Sequence, residues 1–452
     1  MDFVNEKNMI LLTDLYELTM CASYLDGRKE KEIATFDLFI RKLPPNRSYF
    51  IFAGLEQVLY FLEQMKFSEK QLKFLEKEGF KKIFLNYLRD FRFSGNVNAV
   101  PEGTIVFPDE PLIRVTAPII EAQIVETFLL NSVNLQTMIA TKASRIVEAA
   151  KGKPIIEFGL RRCQGTDAGM KAARASYIAG CSGTSNVLAG WKYGIPIFGT
   201  MAHSFVQSFN KEIDAFRAFS KSFPNKSRFL VDTYDTIEGI EKAVIVAKEM
   251  EKRGHELRGI RLDSGDLMKL SKKSRKILDE KGLSYVKIFA SGDLDEYKIR
   301  NFVKDNAAID AFGVGTRMVS SVDCPYVNVV YKLSEIIKNR KVISVIKLSE
   351  GKCTLPGRKN TFRQRDADGQ YVKDIIGLEE EKLEGPMLRS VMINGKITYD
   401  LPSLKDIQTF TSQNLSNFPD KYKKLENAPL YPVKISERLK DLLENLRKKL
   451  RS

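Results

Sequence analysis

The chain has 452 residues, 43% hydrophobic and 29% charged, enough for two or three domains with cores of their own. No run approaches the 18 apolar residues of a membrane span, and residues 1–6 lack the basic segment and apolar stretch of a targeting peptide, so we expect a cytoplasmic protein. The net charge of +15 reads as a solvated basic surface or as attraction for a small polyanionic substrate; no zinc-finger or RNA-recognition signature accompanies it, and no nucleic acid is expected as a partner. Five widely spaced cysteines, Cys21, Cys163, Cys181, Cys324 and Cys353, without a Cys-x-x-Cys pair, argue for free thiols.

In chain order, residues 11–20 have helical apolar spacing with Thr13 or Asp14 as cap. Strands are expected at 34–40 and 48–52, helices at 55–65, 68–78 and 81–90, short strands broken by Pro and Gly within 96–116, and a long helical stretch over 119–151. These make an N-terminal α+β domain of residues 1–150. From about 154 the pattern repeats: an apolar strand of four to six residues, a polar or Gly-containing tip, then a helix. This region, 151–325, reads as an α/β unit, and we expect an irregular β/α barrel. Residues 326–452 form a mixed C-terminal region with strands near 326–333, 341–347 and 390–399. It ends on a helix whose leucines, Leu439, Leu442, Leu443, Leu446 and Leu450, read as core packing.

The tips carry the chemistry. Residues 195–199 read as a buried strand leading into Thr200-Met201-Ala202-His203, where a helix should begin. His203 is one of only two histidines; the other, His255, reads as a surface turn. A lone histidine is more often structural, but among these tips it reads as a nucleophile, since a neutral imidazole can attack a phosphoryl group. In Arg261-Leu262-Asp263-Ser264-Gly265-Asp266, two carboxylates three apart suit sugar hydroxyls or a magnesium carried by a diphosphate, and equally suit a helix N-cap. Ser291-Gly292-Asp293 and Gly313-Val314-Gly315-Thr316 are Gly turns expected to open helices and to offer N–H groups to a phosphate. Arg161 and Arg162 supply planar donors for a diphosphate or a carboxylate. A phosphate cradle, paired carboxylates, a diarginine and a histidine suit a phosphorylated sugar with a diphosphate leaving group.

Thr13 to Met20, Glu157-Phe158-Gly159-Leu160-Arg161-Arg162, Gly199 to Phe205, Arg261 to Leu267 and Phe312 to Thr316, in this order, resemble the nicotinate phosphoribosyltransferase family. The resemblance implies a type II phosphoribosyltransferase fold and a homodimer. The implied reaction makes nicotinate mononucleotide and diphosphate from nicotinate and 5-phosphoribosyl 1-diphosphate, with Mg2+ required and ATP hydrolysis coupled as in a ligase. That reaction is the entry step of nicotinate salvage into NAD. It also implies that His203 is phosphorylated from ATP, that Tyr16, Thr200 and Arg261 contact nicotinate, and that Thr316 contacts the phosphoribosyl phosphate with Gly292 and Gly315 as nearby donors. Tyr16 lies far from the barrel in sequence, so the partner subunit is expected to supply it to a shared site. Two other readings stay open: a sibling enzyme acting on nicotinamide or quinolinate, and a non-catalytic protein that binds a phosphosugar or nucleic acid. Arg317 follows the phosphate turn, and the resemblance assigns it no role.

Overall fold

The computed structural model describes residues 4–349 and 351–451. Residues 1–3, part of the start read above as carrying no targeting signal, lie outside them. The chain gathers into two compact units, Met1–Met138 with Tyr326–Ser452, and Ile139–Pro325.

In the first unit, strand Ile33–Ile40 is buried at every position but its first. It lies inside an antiparallel seven-stranded sheet, with Val329–Lys338 on one side and Ile113–Pro118 on the other. Lys341–Ser344 extends one edge; Asn96–Ala99, Arg389–Ile393 and Lys396–Ile397 extend the other. A strand covered on both faces tolerates a charge only if it is paired, and Asp37 meets Lys359 at 2.7 Å. Helices Leu55–Gln64, Glu69–Lys77 and Lys82–Arg89 lie within the expected spans, the second capped by Ser68 and Gln71 in a reciprocal box. The C-terminal helix Glu437–Arg451 buries Leu439 and Leu443 and leaves Leu450 in solvent. Leu439 packs on Ile376 and Leu378 with Leu442 beside them, so the N-terminal half of the leucine face is core and its last leucine is not.

The second unit carries the repeating pattern. Its strands run parallel in the order Gly183–Thr184, Ile155–Glu157, Ala311–Val314, Lys287–Ala290, Gly259–Leu262, Arg228–Leu230. A parallel sheet places all C-terminal strand ends, and the loops leaving them, at one edge. The architecture is mixed α/β, but the six strands do not close: among the described residues Gly183–Thr184 and Arg228–Leu230 are opposite ends of an open sheet. The strand expected at 195–199 is also absent as such. Only Ile197 bridges to Thr184, and it is 56% exposed; Pro196 has no N–H to extend the ladder. Among the described residues all five cysteines are free and no helix is long and apolar enough to cross a membrane.

Candidate active site

The loops at the C-terminal edge of the parallel sheet bring most of the candidate residues together. His203 is the first residue of the short helix His203–Gln207. Its Nδ1 lies 3.2 Å from Thr233 Oγ1, beyond strand Arg228–Leu230, and its Nε2 lies 3.9 Å from Asp263 Oδ2. Arg261, within strand Gly259–Leu262, donates from Nη2 to the Met201 carbonyl at 3.1 Å. These two contacts tie the Thr200–His203 segment to strands at the other end of the sheet. The Arg261 guanidinium is pushed below its usual value by burial and by Arg161, while Asp263 and Asp232 hold it up. Its Nε is buried without a hydrogen-bond partner, a donor left for something the chain does not supply.

Asp232 organises the neighbouring turn. Its Oδ2 accepts from the Asp263 N–H at 2.8 Å and from Ser264 Oγ at 2.7 Å, and its Oδ1 is buried without a partner. Ser291 Oγ donates to Asp263 Oδ1. The next residue, Gly292, has φ +101°, and a Cβ there would stand 2.0 Å from the Asp263 carbonyl oxygen. Only glycine lets the two turns meet this closely. Gly313 is crowded as well, because a Cβ would stand 2.5 Å from the Phe158 ring. Glu157, buried at the end of its strand, accepts from the Gly159 N–H and from Thr184 Oγ1, which fixes the turn leading to Arg161 and Arg162; burial pushes its acid up. Both arginines sit in the 3-10 turn Leu160–Arg162, exposed and without a side-chain partner among the described residues.

The two acids of the Arg261–Asp266 stretch divide the roles that spacing left open. Asp263 faces His203, whereas Asp266 caps helix Leu267–Glu280, accepting from the Lys269 N–H at 3.1 Å. The Ser291–Asp293 turn does not itself open a helix: Glu296–Lys304 begins three residues later, and Asp295 takes its first N–H groups. Gly315 does precede a helix, the single turn Thr316–Val319, which no side chain caps; Thr316 is exposed. Thr200 is half-buried beside Met201. Tyr16 belongs to the first unit, on helix Leu15–Asp26, where its ring is 49% exposed; burial and Glu17 push its phenol up. Asp232, Thr233 and Glu157 had no assigned role from sequence, although all three lie at strand tips, Glu157 in Glu157–Arg162 and the other two in Val231-Asp232-Thr233. The first unit also holds a cavity of about 650 Å³ lined by Phe39, Arg41, Lys332, Tyr431 and Arg447 among others; none of the candidate residues lines it.

Comparison with known proteins shows the family. The chain matches the nicotinate phosphoribosyltransferase N-terminal domain over residues 11–134, the nicotinate phosphoribosyltransferase family over 154–375, and the family's C-terminal domain over 384–443. It is 46% identical over 441 residues to the nicotinate phosphoribosyltransferase pncB2 of Mycobacterium tuberculosis, covering 97% of this chain and 94% of that protein. It is 41% identical over 462 residues to the nicotinate phosphoribosyltransferase of Bacillus subtilis, covering 96% and 94%. The crystal structure of human nicotinic acid phosphoribosyltransferase superposes with a TM-score of 0.87 at 28% identity, over 96% of this chain and 99% of that one. Nicotinate-nucleotide pyrophosphorylase from Pyrococcus furiosus gives 0.74 at 28% identity, over 92% and 98%. With matches spanning all three parts of the family and a relative at 46% identity along nearly its whole length, the chain belongs to the nicotinate phosphoribosyltransferase family.

Proposed function

We infer that the protein is a nicotinate phosphoribosyltransferase that makes nicotinate mononucleotide and diphosphate from nicotinate and 5-phosphoribosyl 1-diphosphate, in salvage of nicotinate to NAD. The observation that carries this reading is the convergence of His203, Arg261 and Asp263 at one sheet edge, in a chain similar end to end to enzymes of that name. In the reaction the pyridine nitrogen bonds to the anomeric carbon as the bond from that carbon to the diphosphate oxygen breaks, the electrons leaving with diphosphate. Positive charge gathers on the ribose between the two events, and the Asp263 carboxylate is suited to stabilise it. The orphaned Nε of Arg261 suits the carboxylate of nicotinate, with Thr200 beside it and Tyr16 supplied by the partner of a homodimer. Arg161, Arg162, Ser291, Gly292, Gly313, Gly315 and Thr316 receive the phosphates.

In the tautomer whose Nδ1–H donates to Thr233 Oγ1, His203 keeps a lone pair on Nε2 to attack the γ-phosphorus of ATP, releasing ADP. The phosphohistidine would add charge beside Asp263 and Arg261 and link ATP hydrolysis to the transfer. Among the described residues no three metal-ligating side chains converge. A magnesium ion would therefore arrive on the diphosphate and draw at most one or two carboxylates; Asp263 and Asp232, with its orphaned Oδ1, fit that donor set. Bound there, it neutralises charge on the leaving group. The two side-chain ties across the open sheet, His203 to Thr233 and Arg261 to Met201, support reading it as the core of an irregular barrel. Exposed apolar side chains close in sequence, Val187, Leu188 and Trp191 on helix Val187–Tyr193 and Ile197 just after it, support the dimer; Trp191 is 83% exposed.

The test is product formation from nicotinate, phosphoribosyl diphosphate and Mg2+, with and without ATP, beside tubes containing nicotinamide or quinolinate. We expect turnover of nicotinate alone, stimulated by ATP, with the stimulation lost in His203→Ala. Turnover of nicotinamide or quinolinate instead reassigns the substrate. A folded protein that turns over none of the three is a binding protein.

A further inference from the structure

Arg317 follows Thr316 and has no role in the assignment above, yet it is not loose on the surface. Its guanidinium meets the Asp293 carboxylate at two points, Nε to Oδ1 at 3.1 Å and Nη2 to Oδ2 at 3.4 Å. The pair ties the turn after strand Ala311–Val314 to the turn after Lys287–Ala290, the two turns given to phosphate. Asp293 does not depend on Arg317. Lys298 Nζ lies 3.5 Å from Asp293 Oδ2 and donates to the Asp293 carbonyl at 2.8 Å. Arg317 can leave without stranding the acid. The side chains are 43% and 58% exposed, so water screens the pair and its contribution to stability is small. A phosphate offers the planar guanidinium two oxygens and more charge than a carboxylate does. The backbone of Asp293 is left-handed, φ +47°, directly after Gly292, which fixes where the carboxylate holds the arginine.

We propose that Arg317 is a phosphate-binding residue of this site, held ready by Asp293 and handed over to the phosphoribosyl substrate while Lys298 keeps the acid paired. The proposal rests on the phosphoribosyltransferase reading. The test compares Arg317→Ala and Arg317→Lys with the unaltered protein in steady-state kinetics and in calorimetric binding of phosphoribosyl diphosphate. Arg317→Ala should raise KM and the dissociation constant for that substrate about tenfold, the loss of roughly one charge-assisted pair, with KM for nicotinate and the melting temperature unmoved. Arg317→Lys should recover part of the loss. Competition by ribose 5-phosphate and by inorganic diphosphate separates the two ends of the substrate: the inhibitor weakened in Arg317→Ala is the end Arg317 holds. Unchanged affinity in Arg317→Ala, or a parallel rise of both KM values with a lower melting temperature, overturns the proposal. If the unaltered protein binds the substrate but turns nothing over, the enzyme reading fails, and the calorimetric comparison still decides the role of Arg317.

Discussion

At Gly292 a single hydrogen atom decides whether two loops can meet. A methyl group there stands 2.0 Å from backbone at Asp263, in a φ of +101° that alone costs an L-residue about 1–2 kcal/mol. Gly292→Ala must therefore push Ser291 away from Asp263, and Asp263 away from His203. We expect kcat/KM to fall about 100-fold, as small displacements of positioned groups do, with the fold intact by circular dichroism; activity within a factor of two of the unaltered protein would show that the close approach is dispensable. Residues of this kind were legible in sequence because glycines, arginines and a rare histidine mark strand tips. Asp232 was not. It stands in the tip Val231-Asp232-Thr233, but a sequence does not say that one of its carboxylate oxygens accepts two hydrogen bonds while the other is buried alone.

Among the elements, helix Leu15–Asp26 couples its position to protons. It buries Glu17, whose Oε2 accepts from Gln123 Nε2 at 2.7 Å; the same amide donates to Glu126 at 3.1 Å, and Lys332 is 3.5 Å from Glu126. Burial, with Glu126 and Asp14 adding like charge, raises the Glu17 acid from 4.5 to about 7. A carboxyl that is harder to ionise folded than unfolded keeps its proton longer in the folded chain. Its contribution is thus fully present below pH 4.5, weakens as pH rises, and is lost by about pH 7. Glu17→Gln removes that slope, so its midpoint in urea, measured against that of the unaltered protein, should shift in the variant's favour between about pH 5 and about pH 8. A constant difference would mean that Glu17 ionises as freely in the fold as out of it. The helices of residues 55–90 were legible from their period, and the parallel strands from short apolar runs before polar tips. The 195–199 run misled because its apolar residues carry a proline and leave Ile197 largely in solvent. Whether the strands close is not legible either, since repeats count strands without saying whether the first and last are hydrogen-bonded.

For the whole molecule, long-range pairing does what local pattern cannot: Ile33–Ile40 takes Val329–Lys338 as its neighbour across nearly three hundred residues. The largest-scale inference is the shared site. Tyr16, 49% exposed on a helix of the first unit, and Arg261, in the second, are proposed to meet nicotinate from different copies of the chain. In a two-fold dimer such sharing has an arithmetic consequence. Tyr16→Ala and Arg261→Ala are each expected to be nearly inactive alone. Co-expressed in equal amounts they form about one half mixed dimers, each with one site carrying both defects and one carrying neither, so about a quarter of full activity returns. If both residues serve the same chain's site, every site in the mixture stays damaged and nothing returns. Placing Trp191→Glu in both chains adds the control for assembly. A charge in the middle of the exposed apolar patch should yield monomers by light scattering, and the recovered activity should vanish with the dimer. If Trp191→Glu leaves both the dimer and the recovery intact, the dimer is held elsewhere and the Trp191 patch is left to some other partner.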